Sequence, residues 1–247
     1  MLVSVSGEAR GRLVFPLDYP DLAAARRGAE LVSSSAGVLK VGLELFVKEG
    51  PPAVAIGAAL GCEVFLDLKL HDIPATVDAA VASAAVLGAK YLTVHASGGP
   101  TMVAAAVRRA EREASGLTIL AVTVLTSLDD ADLAAVGVSG TTGEQALRLA
   151  RAAHSAGAGG FVCAPAERPA LRAALGPEVV LVTPGIRPAG AAASDQKRMG
   201  TPRQAILNGA TLLVVGRPIR EAPDPAFAAR NILGEIAAAL AVVSRPS

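Results

Sequence analysis

The sequence predicts an α/β fold, a single closed (β/α)8 barrel, on three observations. About eight short, apolar, β-prone runs recur along the 247 residues, Ala-rich helix-like stretches lie between them, and polar signals gather at one end of the runs. The expected strands are Leu13–Leu17, Val38–Val41, Glu63–Lys69, Tyr91–Val94, Thr118–Val124, Gly160–Cys163, Val179–Val182 and Leu212–Val215. Helical stretches between them include Leu22–Ser34, Pro74–Leu87, Thr101–Glu113 and Gly143–Ala156, with a shorter helix expected within Ser127–Gly140. No linker-like shift in composition divides the chain. Residues 1–247 therefore read as one barrel domain with a short N-terminal extension.

Composition narrows the function. A net charge of +1 and 3% aromatic residues offer neither a basic patch nor a stacking platform for nucleic acid. Hydrophobic residues make up 52% of the chain, enough for a large core, and no apolar run reaches membrane-spanning length without a charge or glycine interrupting it. Met1 to Arg12 is mixed and polar with no apolar signal core, so a cytoplasmic protein is expected. Cys62 and Cys163 form no CxxC pair and there are only three histidines, which speaks against a zinc site. Both thiols are expected to be buried or half-buried in a reducing compartment.

Strand 1 ends in Asp18, followed by Tyr19-Pro20-Asp21, and either aspartate could cap the next helix. Pro16 inside that run removes a ladder donor and leaves the start of the barrel open to question. In strand 2, Lys40 lies between Leu39 and Val41, so it takes the opposite face from both; with the apolar side under the helices, Lys40 points inward. It needs a carboxylate there, and the neighbouring strand supplies Asp67.

Strand 3 carries the densest signal, Asp67-Leu68-Lys69-Leu70-His71-Asp72-Ile73-Pro74-Ala75-Thr76. Strand alternation puts Asp67 and Lys69 on one face and Leu66, Leu68 and Leu70 on the other. An ordinary salt-bridged strand end is the plain alternative, with Asp72 capping the helix that Pro74 begins. Charges inside an otherwise apolar strand are costly, however, and such a cost points to function. They also sit where a strand opens into a helix, the end at which α/β folds bind ligands.

The remaining strands add weaker signals. His95, after strand 4, reads as a structural histidine. Thr126 and Ser127, after strand 5, either cap the helix near Leu128 or reach a ligand ring. Strand 7 ends in Thr183-Pro184-Gly185-Ile186-Arg187-Pro188, and the long Ala/Gly/Ser/Pro segment beyond it, through Asp195-Gln196-Lys197-Arg198, has the length of a lid or of a disordered loop. Strand 8 ends in Gly216-Arg217. There a glycine permits close backbone approach and a guanidinium offers a planar fork to phosphate oxygens, although Arg217 could also be a surface salt-bridge residue.

The strand 3 string resembles the Asp-x-Lys-x-x-Asp-Ile-Pro-x-Thr signature of the orotidine 5′-phosphate decarboxylases. The likeness extends from Leu17-Asp18 to Gly216-Arg217 and takes in Lys40-Val41-Gly42, Val94-His95-Ala96, Leu125-Thr126-Ser127, Thr183 to Arg187 and Asp195-Gln196-x-Arg198. The resemblance implies decarboxylation of orotidine 5′-phosphate to UMP, the last step of pyrimidine synthesis, without cofactor or metal, in a homodimer with shared active sites. It also implies the roles. Asp18 and Lys40 would hold the ribose hydroxyls, Lys40 pairing as well with Asp67, and Lys69 would donate the proton. Asp72 and Thr76 would reach into the neighbouring subunit's site. Thr126 and Ser127 would meet the pyrimidine, and Arg187, Gln196, Gly216 and Arg217 would close over the phosphate. Related barrels such as 3-keto-gulonate-phosphate decarboxylase share the Asp-x-Lys strand and the phosphate end but use magnesium. A catalytically dead nucleotide-binding barrel would lack Lys69 or Asp72, and both are present.

Overall fold

The computed structural model of the protein describes residues 2–188 and 200–243. In chain order the elements are α1 (Leu2–Arg12), β1 (Leu13–Pro16), α2 (Leu22–Val32), β2 (Val38–Gly42), α3 (Leu43–Glu49), α4 (Pro51–Ala59), β3 (Glu63–Leu70), α5 (Pro74–Ala85), β4 (Tyr91–His95) and α6 (Pro100–Arg112). They continue with β5 (Thr118–Val122), α7 (Asp130–Ala135), α8 (Thr142–Ser155), β6 (Gly160–Val162), α9 (Arg168–Leu175), β7 (Val180–Thr183), α10 (Pro202–Leu207), β8 (Leu212–Val214), α11 (Arg217–Arg220) and α12 (Pro225–Val243). The strands pair in parallel, each with the next, and β1 closes on β8 through Leu13↔Leu213 and Val14↔Val214. The expected eight-stranded barrel is therefore the fold.

Local chemistry sets the boundaries. Pro51, Pro74, Pro100 and Pro202 each open a helix, where the missing N–H is no loss and φ is already helical. Thr141 and Glu144 form a capping box at α8, and Asp129 and Asp132 do the same at α7. Pro16 is the last residue of β1, and the Leu17 N–H donates to the Lys40 carbonyl at 2.8 Å, so the proline ends the strand without opening the sheet. Residues 2–12 form a helix whose end is tied beneath the barrel, the Arg10 guanidinium donating to the Ser33 carbonyl at 2.9–3.0 Å and the Gly37 N–H donating to the Arg10 carbonyl at 2.8 Å. α12, of 19 residues and mean hydropathy 1.6, is apolar and long enough to cross a membrane; Arg230, Gly234 and Glu235 interrupt it, and Ile232, Ile236 and Leu240 are buried on the barrel side.

The period-two alternation of the strands divides the core into two layers. Phe15, Leu39, Leu66, Leu92, Phe161 and Leu213 point outward, under the helices. Val14, Val38, Phe65, Leu120, Val182 and Leu212 point inward and plug the barrel. Each such side chain, fully buried, contributes about 1.5–3 kcal/mol. One pleat above the plug the inward positions change character. Val14 gives way to Pro16, Val38 to Lys40, Phe65 to Asp67 and Tyr91 to Thr93. The pattern that fills the bottom of the barrel thus sets charge at its top.

Candidate active site

A cavity of about 590 Å³ opens at the C-terminal end of the barrel, its floor formed by Phe65, Val122, Val162, Val182 and Val214. On one wall, β1 to β3 bring Asp18, Lys40, Asp67 and Lys69 together. The Lys69 ammonium donates to Asp67 Oδ2 at 2.8 Å; Lys40 Nζ lies 3.4 Å from the same oxygen and 3.6 Å from Asp18 Oδ1. Asp67 is only 8% exposed. Burial by itself would raise its pKa, but the Lys40 and Lys69 ammoniums and the hydrogen bonds from Lys69 and Thr93 outweigh it and hold the carboxyl below its ordinary value. The result is a fixed alternation of charge, carboxylate between two ammoniums, with its shared carboxylate removed from water.

Lys69 shares the cavity face with Asp67, as alternation expects, but the strand between them is not regular. From Leu66 to Leu70, β3 advances four residues while β4 advances two, Leu92 to Val94, so β3 bulges over Asp67, Leu68 and Lys69. Lys69 takes up the bulge with φ +50°, in the left-handed region. A non-glycine residue held there costs about 1–2 kcal/mol and persists only where its surroundings fix it. The buried Thr93 supplies part of that fixation: its hydroxyl donates to Asp67 Oδ1 and accepts from the Lys69 N–H, both at 2.9 Å. Thr93 does not stand out in the sequence, because a threonine within a strand looks like ordinary β-branched filling; its place one pleat above Tyr91 is the available signal.

The opposite wall comes from the loops after β7 and β8. Arg187, Gly216 and Arg217 line it, and so does Arg220, a further cation that does not stand out in the sequence, whose guanidinium donates to the Asp18 carbonyl at 2.7 Å. Gly216 has a packing reason: a Cβ there would come within 2.9 Å of Pro16 Cγ. Arg187 is anchored through its backbone, its N–H donating to the Gly200 carbonyl at 3.0 Å while Ile186 bridges Gly200. Thr126 lines the cavity from the loop after β5. Neither Thr126 nor Ser127 caps α7, since Asp129 does so; Ser127 is exposed and does not line the cavity, because the turn into Asp129 carries it outward. Gln196 lies outside the described residues.

Asp72 and Thr76 do not line this cavity. Both are exposed; Asp72 accepts from the Ile73 N–H at 2.6 Å and so does not cap α5, whose N-cap is Ile73. Asp72 instead borders a shallow, open depression with His71, Ile73, Pro74, Ser97 and Gly98, and Ile73 is 66% exposed. His95 stands behind this rim with its ring centroid 5.3 Å from that of His71. Asp21, not Asp18, caps α2, accepting from the Ala24 N–H at 2.8 Å and leaving Asp18 to face Lys40. Cys62 and Cys163 are free and buried, as expected, and burial pushes the Cys163 thiol up to about 12, far from nucleophilic use.

A family model described as "Orotidine 5'-phosphate decarboxylase / HUMPS family" matches residues 11–232. The chain is 58% identical over 221 residues to the orotidine 5′-phosphate decarboxylase of Anaeromyxobacter sp. (strain K), covering 90% of this chain and 96% of that protein. It is 52% identical over 221 residues to the orotidine 5′-phosphate decarboxylase of Thermobifida fusca (strain YX), covering 89% and 93%. Among solved structures, the orotidine 5′-phosphate decarboxylase of Lactobacillus acidophilus superposes with a TM-score of 0.79 at 34% identity, over 92% of this chain and 99% of that one.

Proposed function

The chain belongs to the orotidine 5′-phosphate decarboxylase / HUMPS family, and from that membership and the geometry of its barrel mouth we propose that it converts orotidine 5′-phosphate to UMP and carbon dioxide in de novo pyrimidine synthesis. The observation that carries this reading is the Lys40–Asp67–Lys69 array, part-buried on strands and aimed into a cavity whose far wall holds Arg187 and Arg217. The separation suits a substrate with its reacting carbon at one end and a dianion at the other. Residues 1–247 are read as one such unit, acting in the cytoplasm.

Loss of carbon dioxide from C6 leaves the electron pair of the broken C–C bond on a ring carbon that delocalises it poorly. Charge fixed in advance is the remedy, because it needs no reorganisation as the negative charge develops. The Lys69 ammonium faces that charge and then gives its proton to C6, forming the C–H bond of UMP. Asp67 holds both lysines in place and stands close to the departing carboxylate. Asp18 and Lys40 hold the ribose hydroxyls, and Thr126 and Ser127 meet the pyrimidine, Ser127 after an inward turn of its loop. Arg187, Gln196, Gly216 and Arg217 bind the phosphate, which is remote from C6, so its binding energy is expressed in positioning the ring. Asp72 and Thr76, turned away from their own cavity, serve the neighbouring subunit's site in a homodimer.

The test is direct. Purified protein with orotidine 5′-phosphate should show the fall in ultraviolet absorbance that accompanies UMP formation, and a chelator should leave the rate unchanged. Absence of turnover, or turnover that a chelator abolishes and magnesium restores, would move the chain to the sugar-phosphate branch of the family. Relatives at 52–58% identity that carry the decarboxylase name favour the first outcome.

A further inference from the structure

We propose that Thr93 is a positioning residue for the reaction, its single hydroxyl holding the β3 bulge in the shape that aims the Lys69 ammonium into the cavity. The inference rests on the decarboxylase reading and begins from a deficit in the sheet. Where β3 advances four residues against two on β4, regular ladder pairing lapses between Leu66 and Leu70. A strand N–H inside the bulge is then left to find an acceptor elsewhere, because a buried one without a partner keeps the full cost of leaving water. The Lys69 N–H finds Thr93 Oγ1 at 2.9 Å.

A backbone carbonyl would have satisfied that N–H equally well. It would not have done the second thing the hydroxyl does, which is to donate to Asp67 Oδ1, also at 2.9 Å. A hydroxyl can accept and donate at once, and a carbonyl or a carboxamide oxygen can only accept. Through that one atom the backbone of Lys69 and the carboxylate that pairs with its ammonium are locked to each other. Asp67 Oδ2 receives the Lys69 ammonium at 2.8 Å, so a closed ring runs from the Lys69 N–H through Thr93 and Asp67 back to Lys69 Nζ. A residue with φ +50° would relax toward ordinary strand geometry if its surroundings allowed. Thr93 is completely buried, and on its other side β4 pairs without interruption with β5, Thr93 opposite Leu120, so it is a fixed post for the irregular strand beside it.

The test compares Thr93→Val, which keeps the shape and removes the hydroxyl, with Thr93→Ser, which keeps the hydroxyl. Thr93→Val should lower kcat for orotidine 5′-phosphate by about 30-fold, with the Kd for UMP within about threefold of wild type, since a misaimed ammonium costs more in the transition state than in product binding. Thr93→Ser should restore most of the rate. The acid limb of kcat/KM should move to higher pH in Thr93→Val, because one of the donors that favours ionised Asp67 is gone. Thr93→Ala removes the same oxygen without a branched replacement and stands in should Thr93→Val fail to fold. Unchanged kcat in the folded variant, or a loss of UMP affinity as large as the loss of rate, would overturn the positioning role. Wild-type protein without turnover would overturn the decarboxylase reading instead, so the two failures are told apart.

Discussion

The two walls of the cavity are built in different ways. On the β1–β3 side, Lys40, Asp67 and Lys69 project from strands, their charges answer one another within 2.8–3.4 Å, and Asp67 is nearly sealed from solvent. On the β7–β8 side, Arg187, Arg217 and Arg220 stand beyond the strand ends, on a loop and a four-residue helix. Strand-borne charge is rigid and shielded, where a fixed dipole acts most strongly on developing charge. Loop-borne guanidinium groups offer forked, charge-assisted hydrogen bonds and can adapt to a bound dianion. On the proposed reading the contrast is a division of labour, with chemistry assigned to the strands and recognition of the remote phosphate to the loops.

The largest effect should come from removing the strand-borne cation. Lys69→Ala deletes the local positive charge and the proposed proton source, and the barrier should rise by about 4 kcal/mol or more, roughly a thousandfold in kcat. Steady-state turnover of orotidine 5′-phosphate by a variant with a native circular dichroism spectrum checks this. A rate near wild type would show that Lys69 is not the acid. On the other wall, Arg217→Ala should cost at least about 2 kcal/mol in kcat/KM for the phosphorylated substrate and far less for orotidine. Equal losses for the two substrates would mean that Arg217 does not meet the phosphate.

The two walls were also unequally legible in the sequence. The strand-borne charges could be placed by alternation alone: Lys40 between Leu39 and Val41 had to face inward, and Asp67 lay on the next strand. Lys69 also lies on the face of Asp67 that alternation assigns it, but it gets there through a bulge and a left-handed φ that no periodicity announces. Thr93 was missed for a related reason, since its role depends on the pairing register between β3 and β4. The loop-borne residues had no period to follow. Arg187 and Arg217 were named through family likeness and the habit of such barrels to bind phosphate there, Arg220 went unnoticed, and Ser127 lies outside the cavity. Asp72 was readable only as a residue projecting past the strand end, and its exposed place beside Ile73 accords with that.

Asp72 gives a third and smaller expected signal. If it completes the neighbouring subunit's array, inactive Lys69→Ala and inactive Asp72→Asn proteins should complement each other on mixing. With random exchange, about half of the dimers are hybrids holding one intact site each, so activity should recover to about a quarter of wild type. Demonstrated subunit exchange with no recovery would confine Asp72 to its own chain.

The smallest effect concerns stability at mildly acid pH. Burial, then the neighbouring His71 and Lys69, hold His95 below the ordinary histidine pKa, against the opposing pull of Asp67. The unfolded chain therefore takes up a proton at His95 near about pH 6.5 before the folded chain does, and the folded state loses stability as pH falls through that value. The decline in urea midpoint from about pH 7.5 to about 5.5 should be shallower in His95→Asn than in wild type. Identical declines would show that another group sets the acid response.

The division between the walls is tested most directly by binding, which does not require turnover. Calorimetric Kd values for UMP and for uridine give the preference for the phosphate in wild type, in Lys69→Ala and in Arg217→Ala. The preference should fall by at least about 30-fold in Arg217→Ala, the equivalent of about 2 kcal/mol, and stay within about threefold of wild type in Lys69→Ala. A preference that falls equally in both variants would contradict the separation of chemistry from phosphate recognition.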